Sequence, residues 1–155
     1  MCTKRLAVLV LLIGCSKPPD AEKASDTMSV ASAPAAAAMA FPLADAAGTW
    51  TYTARSVTGD TLLVTAELKA TADPSGWTIT LPGRPAQPIT LTVSGDSVMT
   101  SVGPYESVLR KGVQVKTDGV LRMIEGKMIG TSTAHYSVKG ADSVRALLVE
   151  ATRKP

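Results

Sequence analysis

The sequence predicts an all-β domain over residues 45–155, a single antiparallel up-and-down β-barrel of roughly 8–10 strands. Three observations predict it. Apolar and polar residues alternate from Gly48 onward, turn residues interrupt the alternation at short intervals, and no 12-residue amphipathic helix follows residue 48. Strict alternation marks a strand with one buried face.

Taken in order, Trp50, Tyr52 and Ala54 alternate with Thr49, Thr51, Thr53 and Arg55. The clearest run places Leu62, Val64, Ala66, Leu68 and Ala70 on one face and Leu63, Thr65, Glu67 and Lys69 on the other. Shorter runs follow at Trp77-Ile79-Leu81, Ile89-Leu91-Val93, Val98-Thr100-Val102 and Val113-Val115-Thr117, then Val120 to Ile124, Met128 to Val138 and Val144 to Thr152. Turns are expected at Thr58-Gly59-Asp60, Asp73-Pro74-Ser75-Gly76, Ser94-Gly95-Asp96, Asp118-Gly119, Glu125-Gly126 and Gly140-Ala141-Asp142. Glycine accepts positive φ and aspartate bonds its own backbone, so each is a connection with a mechanism. A meander this long tends to close, because closure removes exposed strand edges. A two-sheet β-sandwich is the alternative architecture.

Composition narrows the class. The chain has 155 residues, 45% of them apolar, but its aromatic residues are only Phe41, two Trp and three Tyr. The apolar remainder, with many Thr and Ser, suits strands better than a helical bundle. The formal charge is +3, and it falls to +1 once Lys4 and Arg5 are set aside with the leader described next. The charges are scattered, so nucleic-acid binding has no electrostatic footprint.

Residues 1–14 have the three parts of a signal peptide: Lys4 and Arg5, the apolar run Leu6 to Ile13, and the small residue Gly14. As a helix the run measures roughly 12 Å at about 1.5 Å per residue, whereas a membrane span takes about 20 residues. Leu12-Ile13-Gly14-Cys15 closely resembles the lipobox of bacterial lipoproteins. That resemblance implies cleavage before Cys15, diacylglycerol on its sulfur and often an acyl chain such as palmitate on the new amino terminus. Two acyl chains suffice for stable anchoring. Ser16 stands where enterobacterial lipoproteins retained in the inner membrane have Asp, which implies the outer membrane, facing the periplasm. Cys2 falls within the leader and Cys15 is lipidated, so the mature chain has no disulfide or thiolate metal site. Residues 15–44 form the lipidated Cys and a Pro-, Ser- and Ala-rich linker without sustained period, read as a flexible tether. Phe41 and Leu43 are expected either in this linker or against the barrel end.

Gly48-Thr49-Trp50 in the first strand and Arg153 near the end of the last resemble the calycin superfamily, which includes lipocalins and avidins. The resemblance implies that Trp50 packs at the closed end with Arg153 across it, where guanidinium stacks on indole. Thr117-Asp118 is similar to a second lipocalin motif. The chain departs from lipocalins in its short domain and in lacking the helix before the last strand.

No Gly-x-Ser-x-Gly elbow, phosphate loop, Cys-x-x-Cys or His-rich motif occurs, so the chain is expected not to be an enzyme and to need no cofactor or metal. His135, beside Tyr136, reads as a strand-surface or rim residue, and a general-base role would need partners that sequence cannot place. Glu106, Glu125 and Glu150 are candidate acids that read first as solvated charges. Gly103 to Gly112 is the most distinctive stretch, either a mouth loop with a contact patch or a bulged strand with an internal Glu106–Arg110 pair.

Small candidate inward residues, namely Ala66, Ala70, Gly130, Ser132 and Ala134, permit a cavity, while Trp50, Trp77, Tyr105 and Tyr136 are able to fill it. Two functions follow. One is a lipid-anchored, lipocalin-like envelope protein holding a small apolar or amphipathic ligand. The alternative is a solid barrel that binds or inhibits an envelope protein. Trp77, Tyr105, Glu106, Arg110, His135 and Tyr136 are the expected ligand or partner contacts.

Overall fold

The computed structural model describes residues 40–155. The expected leader over residues 1–14, the expected lipidation site Cys15 and the expected linker up to residue 39 lie outside the described residues. Eight strands form one closed antiparallel barrel in which each pairs with its sequence neighbours. They are β1 (Gly48–Ser56), β2 (Leu62–Ala70), β3 (Thr78–Thr80), β4 (Ala86–Ser94), β5 (Ser97–Glu106), β6 (Gln114–Ile124), β7 (Lys127–Tyr136) and β8 (Val144–Arg153). One turn of helix, α1 (Leu43–Ala46), precedes them. The last strand returns to the first, with Trp50 opposite Arg153 and Ser56 opposite Leu147. The up-and-down barrel is therefore the architecture, and the sandwich is not.

Two expectations are corrected. Asp118-Gly119 is not a turn but lies inside β6, so the runs Val113–Thr117 and Val120–Ile124 are a single strand. Gly119 is there because its neighbours crowd it: a Cβ would lie 2.9 Å from Thr100 Oγ1 and 3.1 Å from the Thr131 carbonyl oxygen. Trp77 and Leu81 flank β3 rather than belong to it. The Glu125-Gly126 connection does turn the chain, with φ of 50° and 76° at its two residues. Two successive positive φ values match the right-handed twist of the flanking strands.

The core follows the alternation. Trp50 and Trp77 are wholly buried, with Leu68, Val98 and Met128 around them. Ahead of β1, Phe41 is buried, its ring centroid 6.4 Å from that of Trp77, and its N–H donates to the Gly95 carbonyl at 2.8 Å. Phe41 and Leu43 thus belong to the packed body and cap one pole, ahead of the boundary expected at residue 45.

At that pole the Arg153 guanidinium lies 4.4 Å above the Trp50 ring. Its Nη1 donates to the Ala47 carbonyl at 2.7 Å and its Nη2 to the Asp45 carbonyl. Trp50 Nε1 donates to the Ala46 carbonyl at 2.9 Å. Gly48, at φ +143°, leaves space for this contact, since a Cβ there would come within 2.5 Å of Arg153 Nη1.

Gly130 is the tightest point in the wall: a Cβ would fall 1.8 Å from the Val120 carbonyl oxygen, a backbone atom that cannot rotate away. Gly130→Ala is expected to lower unfolding free energy by about 3 kcal/mol, at the upper end of overpacking costs. Urea denaturation checks it, and an unchanged midpoint would contradict this packing.

Candidate functional site

The pole opposite the Trp50–Arg153 seal carries the β1–β2, β3–β4, β5–β6 and β7–β8 connections. Its main feature is the loop between β5 and β6, which begins just after a bulge between Val102 and Tyr105. This loop is held internally. The Ser107 hydroxyl accepts from the Leu109 and Arg110 N–H groups at 3.0 and 3.1 Å, and Ser107 N–H donates to the Val113 carbonyl at 2.7 Å. Glu106 Oε1 accepts from the Gly112 N–H at 2.8 Å.

Two arginines latch the loop to its neighbours. Arg110 stacks 4.3 Å above the Tyr136 ring, and its Nη1 donates to the Asp142 carbonyl at 2.8 Å, reaching the β7–β8 connection. Arg84, from the β3–β4 connection, lies 3.9 Å from Glu106 Oε2 and 3.5 Å from the Ser107 carbonyl oxygen. The expected Glu106–Arg110 pair is therefore corrected. Arg110 turns inward over an aromatic ring, and Arg84, which the sequence reading did not single out, takes its place beside Glu106.

Beneath the loop, Val108 and Leu109 roof a cavity of about 50 Å³ lined also by Tyr52, Tyr105, Tyr136, Thr117 and Ser132. That is space for on the order of one or two water molecules, whereas small-molecule pockets run to about 300–1,000 Å³. The small residues Ala66, Ser132 and Ala134 do face inward, but tyrosine rings occupy the room they leave. Tyr52 is half-buried as a residue while its phenol is deep. Burial pushes that phenol well above its ordinary range, the neighbouring Tyr105 adds to the shift, and the Ser132 hydroxyl opposes it. Tyr105 is also raised by burial, with Thr117 opposing. The interior thus presents neutral hydroxyls, and no carboxylate, imidazole or cation lines it.

The expected contacts divide. Tyr105, Glu106, Arg110 and Tyr136 converge at the mouth. Trp77 is buried at the other pole, where its Nε1 donates to the Thr71 carbonyl at 2.8 Å. His135 is exposed on the outer wall, its Nε2 3.7 Å from Asp118 Oδ2. Asp118 also meets Lys116 Nζ at 3.1 Å, and the Ser101 hydroxyl, foremost, holds its carboxyl below the usual range. Glu125 lies in a turn, and Glu150 pairs with Lys127 at 2.9 Å, so the candidate acids are dispersed. Among the described residues no cluster of three or more His, Cys, Asp or Glu side chains could hold a metal ion.

The fold and site together define a small closed barrel with a nearly filled interior and a structured loop over one mouth. Comparison with protein-family models, curated proteins and solved structures finds no match.

The buried Tyr52 phenol links stability to alkaline pH. The unfolded chain releases this proton near pH 10, while the fold retains it to higher pH. The stabilisation is therefore complete below pH 10 and is lost as pH rises beyond it. Denaturation curves collected from neutral to strongly alkaline pH should show a shallower alkaline decline in Tyr52→Phe than in the parent. Identical declines would contradict the assignment. For the loop, Arg110→Ala should speed amide exchange at Leu109 to Val113 about tenfold, from loss of one cation–π contact and one charged hydrogen bond, with little change in the global midpoint.

Proposed function

We propose that this chain is a lipid-anchored lipoprotein of the bacterial envelope, held through Cys15, whose barrel is a non-enzymatic protein-binding module. The observation that carries the binding half is the filled interior. A cavity of about 50 Å³ leaves the loops and outer wall as the surfaces on which recognition occurs. The anchor half is supported by Leu12-Ile13-Gly14-Cys15 behind a charged and then apolar leader. Ser16 favours the outer membrane, with the barrel in the periplasm. The calycin resemblance has its physical counterpart in the Arg153–Trp50 stack, a contact that any small barrel gains from at an otherwise frayed end.

The carrier reading keeps one favourable observation. Val108 and Leu109 form part of the roof with side chains of a loop, and a loop yields more readily than a strand.

The full chain, produced in a bacterium with lipoprotein-processing enzymes and extracted in detergent, tests both halves by mass spectrometry. The expected intact mass is that of the chain from Cys15 plus its acyl groups, and Cys15→Ser should lose the acyl mass and leave the membrane fraction. Native spectra should show no additional small molecule. A stoichiometric apolar ligand that organic solvent removes would replace the protein-binding reading with the carrier reading.

A further inference from the structure

The wall of the closed barrel is thinly paired at one place. β2 pairs with β1 from Leu62 to Ala70, interrupted only at Leu63. With β3 it pairs only from Glu67 to Lys69. Alternate residues between Leu62 and Ala66 therefore turn backbone N–H and C=O groups away from β1 with no strand to receive them. Across the gap, β5 pairs with β4 only as far as Val102, so Tyr105 and Glu106 pair with β6 alone. Between these edges lies the β3–β4 corner, Leu81 to Pro85, and beside it an open groove of about 450 Å³. Leu63 and Thr65 line that groove from β2, Pro82 and Arg84 from the corner, and Val108 and Lys111 from the β5–β6 loop opposite. A bulge leaves Leu63 without a partner on β1 and places it on the groove wall.

An exposed edge invites pairing, and proteins usually blunt one with lysine or proline. Leu62-Leu63-Val64-Thr65-Ala66 carries no charge, proline or glycine. The opposite wall has a definite electrostatic character. Its carboxylate, Glu106, is already engaged by the Gly112 N–H and by Arg84. Lys111 forms no ion pair among the described residues, which leaves the groove cationic.

We propose that this groove takes an extended segment of a partner protein, which pairs its backbone with the β2 edge and sets an acidic side chain against Lys111 and Arg84. The inference rests on the reading of the barrel as a protein-binding module. It adds where the partner docks and which chemistry it brings. Main-chain pairing supplies the affinity, and the apolar and cationic walls supply the selection.

The probe is a capped peptide of alternating valine and threonine, about seven residues long, the length of an ordinary strand, with one terminal glutamate. A twin has lysine in its place, and another is N-methylated at every backbone amide, which blocks both of its edges. Titrated into the isotope-labelled full chain, the glutamate peptide should shift the amides of Val64 to Ala66, protect those of them that face away from β1, and shift Lys111. It should bind about fivefold more tightly than the lysine twin, the scale of one exposed ion pair. Lys111→Glu, a change at an exposed position, should reverse that preference, while the N-methylated twin should not bind.

Absence of binding by every peptide overturns the proposal, as does equal binding of the N-methylated twin. Met99, Val120 and Leu148 are exposed apolar residues on one row of the outer wall, and peptide-induced shifts confined to them overturn the edge site but leave the protein-binding reading standing. Concentration-dependent dimers that mask the Val64–Ala66 amides assign the edge to a second copy of this chain and overturn the proposal likewise.

Discussion

The structure depends on β8 returning to β1. A meander that fails to close leaves two long edges in water, and closure requires the first and last strands to meet in register. Here the register is pinned at one end by a single side chain. Arg153 stacks on Trp50 and reaches the carbonyls of Ala47 and Asp45, joining the last strand to the segment that leads into the first. Gly48 leaves the room this needs. The same segment inserts Phe41 beside Trp77, so sealing of the barrel and filling of its base are one packing event.

From that base, the interior is a matter of volume. Small residues on one part of the wall face large rings on another, and they interdigitate instead of leaving a hollow. The tyrosines bring hydroxyls inside, where Ser132 and Thr117 oppose the effect of burial on Tyr52 and Tyr105. No buried side-chain nitrogen or oxygen among the described residues lacks a hydrogen-bond partner. An apolar base and a hydroxyl-bearing upper half make the interior chemically graded, with its polar part next to the loop that covers it.

Much of this architecture was legible in the sequence, because period-two alternation is a local signal and closure follows from the number of strands. Asp118-Gly119 misled because it has turn chemistry, yet that glycine serves the close approach of Thr100 and Thr131 across the sheet, which no local pattern records. The alternation marks Tyr52 as a strand residue, but its place among other phenols depends on the barrel's curvature. Arg84 was invisible for the same reason: only the folded β3–β4 corner brings it to Glu106, more than twenty residues away. Arg110 lies close to Glu106 in sequence, whereas its partner is the face of Tyr136, on a strand not yet begun at that point in the chain. The short span of β3, which opens the groove, follows from Pro82 and Pro85 at the corner, a feature the alternation of Trp77, Ile79 and Leu81 conceals.

The cap formed by Phe41 has a directional consequence. The chain enters the barrel at the Gly95 turn and leaves it at Lys154, whose N–H donates to the Thr49 carbonyl, so entry and exit share one pole. Any anchor or attached segment joined at either end therefore pulls on the sealed base. The Arg110 loop and the groove beside β2 stand at the far pole, out of line with that pull, and the barrel can be held by its foot without obstructing its head.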